Sequence, residues 1–277
     1  MQIKIPGTLG GFGPGHNSLG LAINKYFEVE VLEAQEHWLV ESDSLAFRQN
    51  DESNYVVAVA TKLAHGLQPH HLKIRSKLDA NLGETVAALV AGMELARLVG
   101  KAELDLYTEI TLAARTFGSG NQATAALLGG VTTSFFEDDE VFASGLATPD
   151  YQVLLYYPAE KEAGTTANET MVSRTVAEQY GAAGNMLIAA WQNQQTQLAG
   201  RLLERDLLGR EPSLELTRIR QAANALDVYG TVFANGMIMT LVAREQSQDL
   251  LDVLAYAKDL RGRFELLELA KEGIIIE

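Results

Sequence analysis

Pro6-Gly7-Thr8-Leu9-Gly10-Gly11-Phe12-Gly13-Pro14-Gly15-His16-Asn17-Ser18-Leu19-Gly20 is the stretch whose reading decides the fold. Five of the nine residues from Gly7 to Gly15 are glycine, so the backbone there can turn sharply or approach a ligand closely. The glycines are not followed by the lysine of a Walker loop, and their spacing does not match the dinucleotide fingerprint. Taken alone, the segment reads as a structural loop before a ligand loop. Upstream, Gln2 to Pro6 alternates like a strand; downstream, Asn17 to Asn24 reads as a short helix.

Working outward, Tyr26 to Leu32, Glu36 to Val40 and His71 to Ser76 read as strands, with a helix at Tyr55 to His65 between the last two. Val86, Leu89, Val90 and Met93 recur at helical spacing, and Gly100 stands where a C-terminal cap belongs. A second helix is expected over Ala102 to Ala114, and strands over Val131 to Phe136 and Tyr151 to Tyr156. The stretch from Glu169 to Ala225 reads as helical, broken near Gly181, Gly200 and Gly209 to Pro212. Val228 to Phe233 and Met237 to Ala243 flank Asn235-Gly236, a type I′ hairpin signal, and a last helix is expected over Gln248 to Leu260. Strands and helices mix without a regular βαβ repeat, which favours α+β. A compositional seam at Pro149 to Gly164 divides the chain into 1–150 and 151–277.

Composition narrows the function classes. The chain has 277 residues and no cysteine, so disulfides, thiolate catalysis and thiolate-held metals are excluded. Acidic residues outnumber basic ones 36 to 22, for a formal net charge of -14, and the cations are scattered. Nucleic acid and anionic membrane are therefore excluded as partners. The absence of a leader pattern or a long apolar run makes the cytoplasm the expected compartment. His70 and His71 are adjacent, so on a strand they point to opposite faces and cannot chelate together. Glu137-Asp138-Asp139-Glu140 reads as a solvated turn. His16, inside the glycine loop, is the histidine placed for ligand contact.

Three further segments combine turn residues with polar side chains: Lys77 to Ala87 entering the strong helix, Gly118-Ser119-Gly120-Asn121-Gln122-Ala123-Thr124, and Phe233-Ala234-Asn235-Gly236-Met237-Ile238. The N–H groups at a helix N-terminus form an anion site. Here, however, Glu84 in the first turn and Asp79 just before it place carboxylates at that end.

In this order and at these separations, the four segments resemble the GHMP kinase superfamily, and within it the homoserine kinases. Pro6, Thr8, Gly13-Pro14-Gly15 and Ser18-Leu19-Gly20 match the pattern P-x-x-S-x-N-L-G-P-G-F-D-S-L-G. Lys25 to Val31 and Val90 to Ala96 are also family-like, and the similarity runs from Met1 to about Ala243. The resemblance implies a two-lobed α+β fold, with an N-terminal lobe like ribosomal protein S5 domain 2 and a ferredoxin-like C-terminal lobe. It also implies a ligand cleft between the glycine loop and the helix beginning near Glu84, Mg-ATP as the co-substrate of an active copy, and a homodimer.

Carried over residue by residue, the family's G-L-G-S-S-A nucleotide loop falls on Asn81, Leu82, Gly83, Glu84 and Thr85 and the residues after them. Thr85 keeps a hydroxyl for magnesium. Glu84 would face the triphosphate, and two unit charges about 4 Å apart at an effective dielectric near 20 repel by roughly 4 kcal/mol. The motif E-G-H-P-D-N falls on Phe117 to Gln122, so the magnesium-binding glutamate becomes Phe117, while Ser119, Asn121 and Gln122 keep polarity without charge. Gly11 and Asn17 stand for the family's asparagine and aspartate. Its substrate-carboxylate arginines fall on Thr165 or Asn168 and on Ser213. The implied substrate pocket is His16, Asn17, Ser119, Asn121, Gln122, Asn235 and Gly236. Phosphoryl transfer depends on a positioned metal and cations, so the expectation is a homoserine kinase-like protein of weak or no kinase activity, a pseudokinase or a binder of an altered ligand. The alternatives are an active kinase converting ATP and L-homoserine to O-phospho-L-homoserine for threonine biosynthesis, and a non-catalytic regulatory subunit.

Overall fold

Ile3 and Ile5 are fully buried while Gln2 and Lys4 reach the surface, the alternation of a strand with one wet face. In the computed structural model, which describes residues 1–148, 150–159, 172–205, 213–257 and 259–277, this strand is β1 (Gln2–Gly10). There follow β2 (Leu19–Ala34), β3 (Leu39–Ser42), α1 (Tyr55–Leu63), β4 (His70–Ser76), α2 (Glu84–Leu98), α3 (Leu106–Phe117) and α4 (Asn121–Leu128). Next come β5 (Val131–Glu137), β6 (Glu140–Leu146), β7 (Tyr151–Tyr157), α5 (Arg174–Gln192), α6 (Thr196–Leu203) and α7 (Leu214–Ala225). The chain closes with β8 (Thr231–Ala234), β9 (Met237–Ala243), α8 (Ser247–Ala255), β10 (Arg263–Glu268) and β11 (Ile275–Ile276).

Two compact units result. The first comprises Met1–Leu9, Asn17–Gly145 and Ala270–Glu277, and the second Gly10–His16 and Leu146–Leu269. The chain passes from the first unit to the second at Gly145 and Leu146. Two segments lie across it: Gly10–His16 of the glycine loop belongs to the second unit, and the C-terminal residues return to the first.

The first unit is built on a seven-stranded sheet with the path β11-β1-β2-β4-β3, to which β5 and β6 attach through β2. Phe27, Val29 and Val31 of β2 point into the core, and Phe27 meets Phe47 edge-on with ring centroids 5.9 Å apart. Of the 15 residues of α2, 12 are buried. A helix apolar on every side is a core helix rather than a surface one, and α2 is the central helix of this unit. The short helix expected at Asn17 to Asn24 is instead the start of β2. Leu19, Gly20 and Leu21 pair with Thr133, Thr132 and Val131 of β5, and this non-local pairing outweighs local propensity.

The second unit runs β7-α5-α6-α7-β8-β9-α8-β10, with sheet order β10-β7-β9-β8 and every pairing antiparallel. This is the ferredoxin-like arrangement. Leu154, Tyr156, Ile238 and Val242 from the sheet, Ile219 from α7 and Leu250 from α8 form its core. At the β8–β9 turn Asn235 and Gly236 both take positive φ, 49° and 80°, the left-handed pair that a type I′ turn requires. The breaks expected at Gly181 and Gly200 are absent, because α5 and α6 run through them and the helices part at Asn193 to Gln195. Further corrections concern α3, which begins at Leu106 with Asp105 as its cap, its carboxylate accepting from Thr108 N at 2.8 Å, and α8, which ends at Ala255. Glu137 to Glu140 is the tight turn of the β5–β6 hairpin, with Asp138 and Asp139 at positive φ.

Candidate functional site

The end of α2 that the sequence marks as a nucleotide loop is made from three parts of the first unit. Asp79 opens a single 3-10 turn, its carboxylate accepting from the backbone N–H of Asn81 (2.9 Å) and Leu82 (3.2 Å). Gly83 then takes the left-handed conformation (φ 75°) and serves as the N-cap of α2. Thr8 of β1 lies directly against it: a Cβ at residue 83 would collide with Thr8 Oγ1. That hydroxyl is 1% exposed and has no hydrogen-bond partner. A glycine N-cap supplies no side-chain acceptor to the first turn, and Thr85 is exposed there. The uncapped backbone N–H groups of the helix end suit an anionic or polar group and form the polar recess of this unit, with the orphan hydroxyl packed out of solvent beneath Gly83.

Glu84 does not occupy that recess, a correction to the expectation that it faces the triphosphate. Its side chain is buried, and its carboxylate accepts a hydrogen bond from Ser44 Oγ at 2.8 Å. Ser44 Oγ in turn accepts from the N–H of Ala46 and Phe47. The roughly 4 kcal/mol of repulsion therefore does not apply along this line. Ser44→Ala is expected to cost about 2 kcal/mol, because a buried carboxylate and two amides lose their partner. A shift of the urea midpoint worth under roughly 0.5 kcal/mol would contradict that role.

The segment after α3 carries Ser119, Asn121 and Gln122. Asn121, at the first position of α4, is buried and spends both ends of its amide on structure. Its Nδ2 donates to Leu19 O at 3.1 Å, while Oδ1 accepts from Ser119 Oγ (3.0 Å) and Gln122 N (2.8 Å). Gln122 Nε2 reaches Thr8 O at 3.3 Å, tying α4 to β1 beside the recess. Ser134 Oγ, 3.6 Å from where a Cβ of Gly120 would stand, is a second buried hydroxyl with no partner. Phe117 is 39% exposed at the end of α3, and Asn17 is exposed.

The remaining positions lie in the second unit. A Cβ at Gly11 would stand 3.6 Å from both Asn235 Oδ1 and His16 Cε1, so the glycine loop, the His16 ring and the β8–β9 turn are neighbours, with Gly236 exposed at the turn. Tyr180 of α5 holds this loop by donating its hydroxyl to Gly13 O at 2.7 Å. Glu204, just past α6, accepts from Gly230 N and Thr231 N, and Arg220 donates to Thr231 O, which fixes the start of β8. Ser213 caps α7 by accepting from Leu216 N. Thr165 and Asn168 lie outside the described residues.

No family model matches the chain. The homoserine kinase of Lactobacillus gasseri is 30% identical over 290 residues, with the whole of both chains aligned. The chain belongs to the homoserine kinase family. The homoserine kinase of Streptococcus sanguinis is 28% identical over 288 residues, again covering both chains fully. Among solved structures, a Listeria monocytogenes protein described as a homoserine kinase superposes with a TM-score of 0.88 at 25% identity, over 100% of this chain and 98% of that one. A mevalonate kinase shares the fold, with a TM-score of 0.72 at 14% identity over 98% of this chain and 100% of the other. The fold is that of the GHMP kinases.

Within this homoserine kinase fold, three contacts around the candidate positions leave no signal in the sequence. The orphan hydroxyl of Thr8 carries no sequence signal beyond membership of the first motif. The Glu84–Ser44 bond spans 40 residues and the Tyr180–Gly13 bond 167, so neither leaves a local pattern. No group of three His, Asp or Glu side chains among the described residues is arranged to hold a metal ion. No helix among them is long and apolar enough to cross a membrane.

Proposed function

We propose that this chain is a homoserine kinase-family protein that keeps the anion-binding end of α2 but has lost phosphoryl transfer, acting as a pseudokinase that binds a phosphate-bearing or polar small molecule. The observation that carries the reading is Phe117, a half-exposed phenyl where the family pattern has a magnesium-binding glutamate. A hard cation requires oxygen ligands. Thr85 offers one neutral hydroxyl, and the neighbouring Asn121 is spent on Leu19, Ser119 and Gln122. The described residues at these positions do not fit a magnesium ion. Gly83 and the open first turn of α2 support retention of an anion cradle.

The test is a coupled assay of the purified chain with Mg-ATP and L-homoserine beside an active relative, together with thermal unfolding in ATP with and without magnesium. Loss of a single group that stabilises developing charge typically costs about 10²–10³ in rate. Turnover at least roughly 10³ below the relative is expected, since both the metal carboxylate and the carboxylate-binding arginines are replaced in the family pattern. ATP alone should raise the unfolding temperature, with no further gain from magnesium. Turnover within tenfold of the relative would refute the proposal and install the active kinase in its place. Glu84's retreat to Ser44 leaves the helix end open to nucleotide under either reading.

A further inference from the structure

At the opposite ends of α2 and α3 from the segments described above, the first unit buries a second set of ionisable groups. Glu94, in the last turns of α2, is 4% exposed, and Glu109, in the first turn of α3, is 3% exposed. Arg97 grips Glu94 with two bonds, from Nε at 3.2 Å and from its terminal nitrogen to the second oxygen. Glu109 lies beside Glu94, whose negative charge acts on its carboxyl. Asp105, the cap of α3, adds its negative field, and Arg97 opposes it. The other helices packed on this pair bring no competing charge: α4 carries none, and the one charge on α1, Lys62, is exposed.

Both carboxyls are buried with a single arginine on the pair, and one guanidinium cannot neutralise two adjacent buried anions. We infer that Glu94 and Glu109 share a single proton that locks α3 onto α2, with Glu109 as the acid and Glu94 as the arginine-paired carboxylate. The lock is pH-sensitive by construction, because its loss leaves a second negative charge buried beside the first.

The geometry sets the direction of the pH dependence. Burial, then the charge of Glu94, pushes the Glu109 carboxyl up from its ordinary 4.5 to about 8. Between those two values the folded chain holds a proton that the unfolded chain has released, so stability falls as pH rises and levels off above about 8. One proton corresponds to about a tenfold fall in the folding constant per pH unit inside that window.

Urea unfolding of the wild-type chain and of Glu109→Gln from pH 5 to 9 isolates the contribution, since the amide does not titrate. The ratio of folding constants, wild type over variant, is expected to fall by close to tenfold per pH unit from about 5 to 7.5, and to stay level above 8. Carbon-13 titration of the Glu109 carboxyl in the wild-type chain serves as an independent readout, and serves alone if the variant does not fold. A midpoint near 8, moving down in Glu94→Gln, supports the shared proton. Parallel stability profiles, or a Glu109 midpoint below about 6, would overturn it.

Discussion

Gly83→Ala is expected to destabilise the first unit by about 3 kcal/mol and to abolish any stabilisation by ATP. The left-handed backbone at Gly83 (φ 75°) costs an L-residue roughly 1–2 kcal/mol. The new Cβ would also collide with Thr8 Oγ1 and press on the Thr8 backbone, and overpacking of this kind adds about 1–3 kcal/mol. The two contributions can be separated. Thr8→Ala removes the colliding hydroxyl but leaves the backbone strain, so the double variant should recover roughly half of the loss, and the coupling measures the contact. Urea unfolding of the four chains gives the cycle, and thermal shift in ATP reports on the recess. If Gly83→Ala unfolds at the wild-type midpoint, the close approach of β1 to the helix end is wrong. If it loses stability but keeps the full ATP shift, the recess is not where the nucleotide binds.

Much of the frame around that recess is legible in the sequence. Val86, Leu89, Val90 and Met93 announce α2 because a helix repeats its inner face every three or four residues, and β4 shows itself by alternation between Leu72 and Ile74 inside and Lys73 and Arg75 outside. The Asn235-Gly236 pair fixes its turn through backbone sterics alone. What failed to show was settled by distant partners. Leu19 to Ile23 is buried on both faces, so it has no period to read, and its sheet partners, among them β5 more than a hundred residues later, make it a strand. The candidate site follows the same division. Asn81 to Thr85 could be placed by resemblance, because the loop's glycine is demanded locally by a left-handed turn. The direction of the Glu84 side chain could not, because it depends on Ser44, which nothing in the helix sequence specifies.

Asn121 carries the second large prediction. Restoring the family's aspartate there should not restore a kinase but should destabilise the chain. The amide meets a carbonyl on one side and two donors on the other, so only a group that both donates and accepts fits. In Asn121→Asp, an ionised oxygen would face Leu19 O in a buried setting, at a cost of about 2–4 kcal/mol. A carboxylate in the first turn of α4 regains roughly 0.3–1 kcal/mol from the helix dipole, too little to offset the clash. Protonation would repair the mismatch, since the acid can donate to Leu19 O. The folded-state pKa of this aspartate should therefore rise above its unfolded value of about 3.9, and the variant should lose stability as pH increases towards neutrality. Urea midpoints for both chains at pH 5 and 7.5 decide it: the deficit should be clear at 7.5 and smaller at 5. Equal stability at pH 7.5 would mean that the pocket still tolerates the family's aspartate, and the case for a lost kinase would then rest on Phe117 and the replaced arginines.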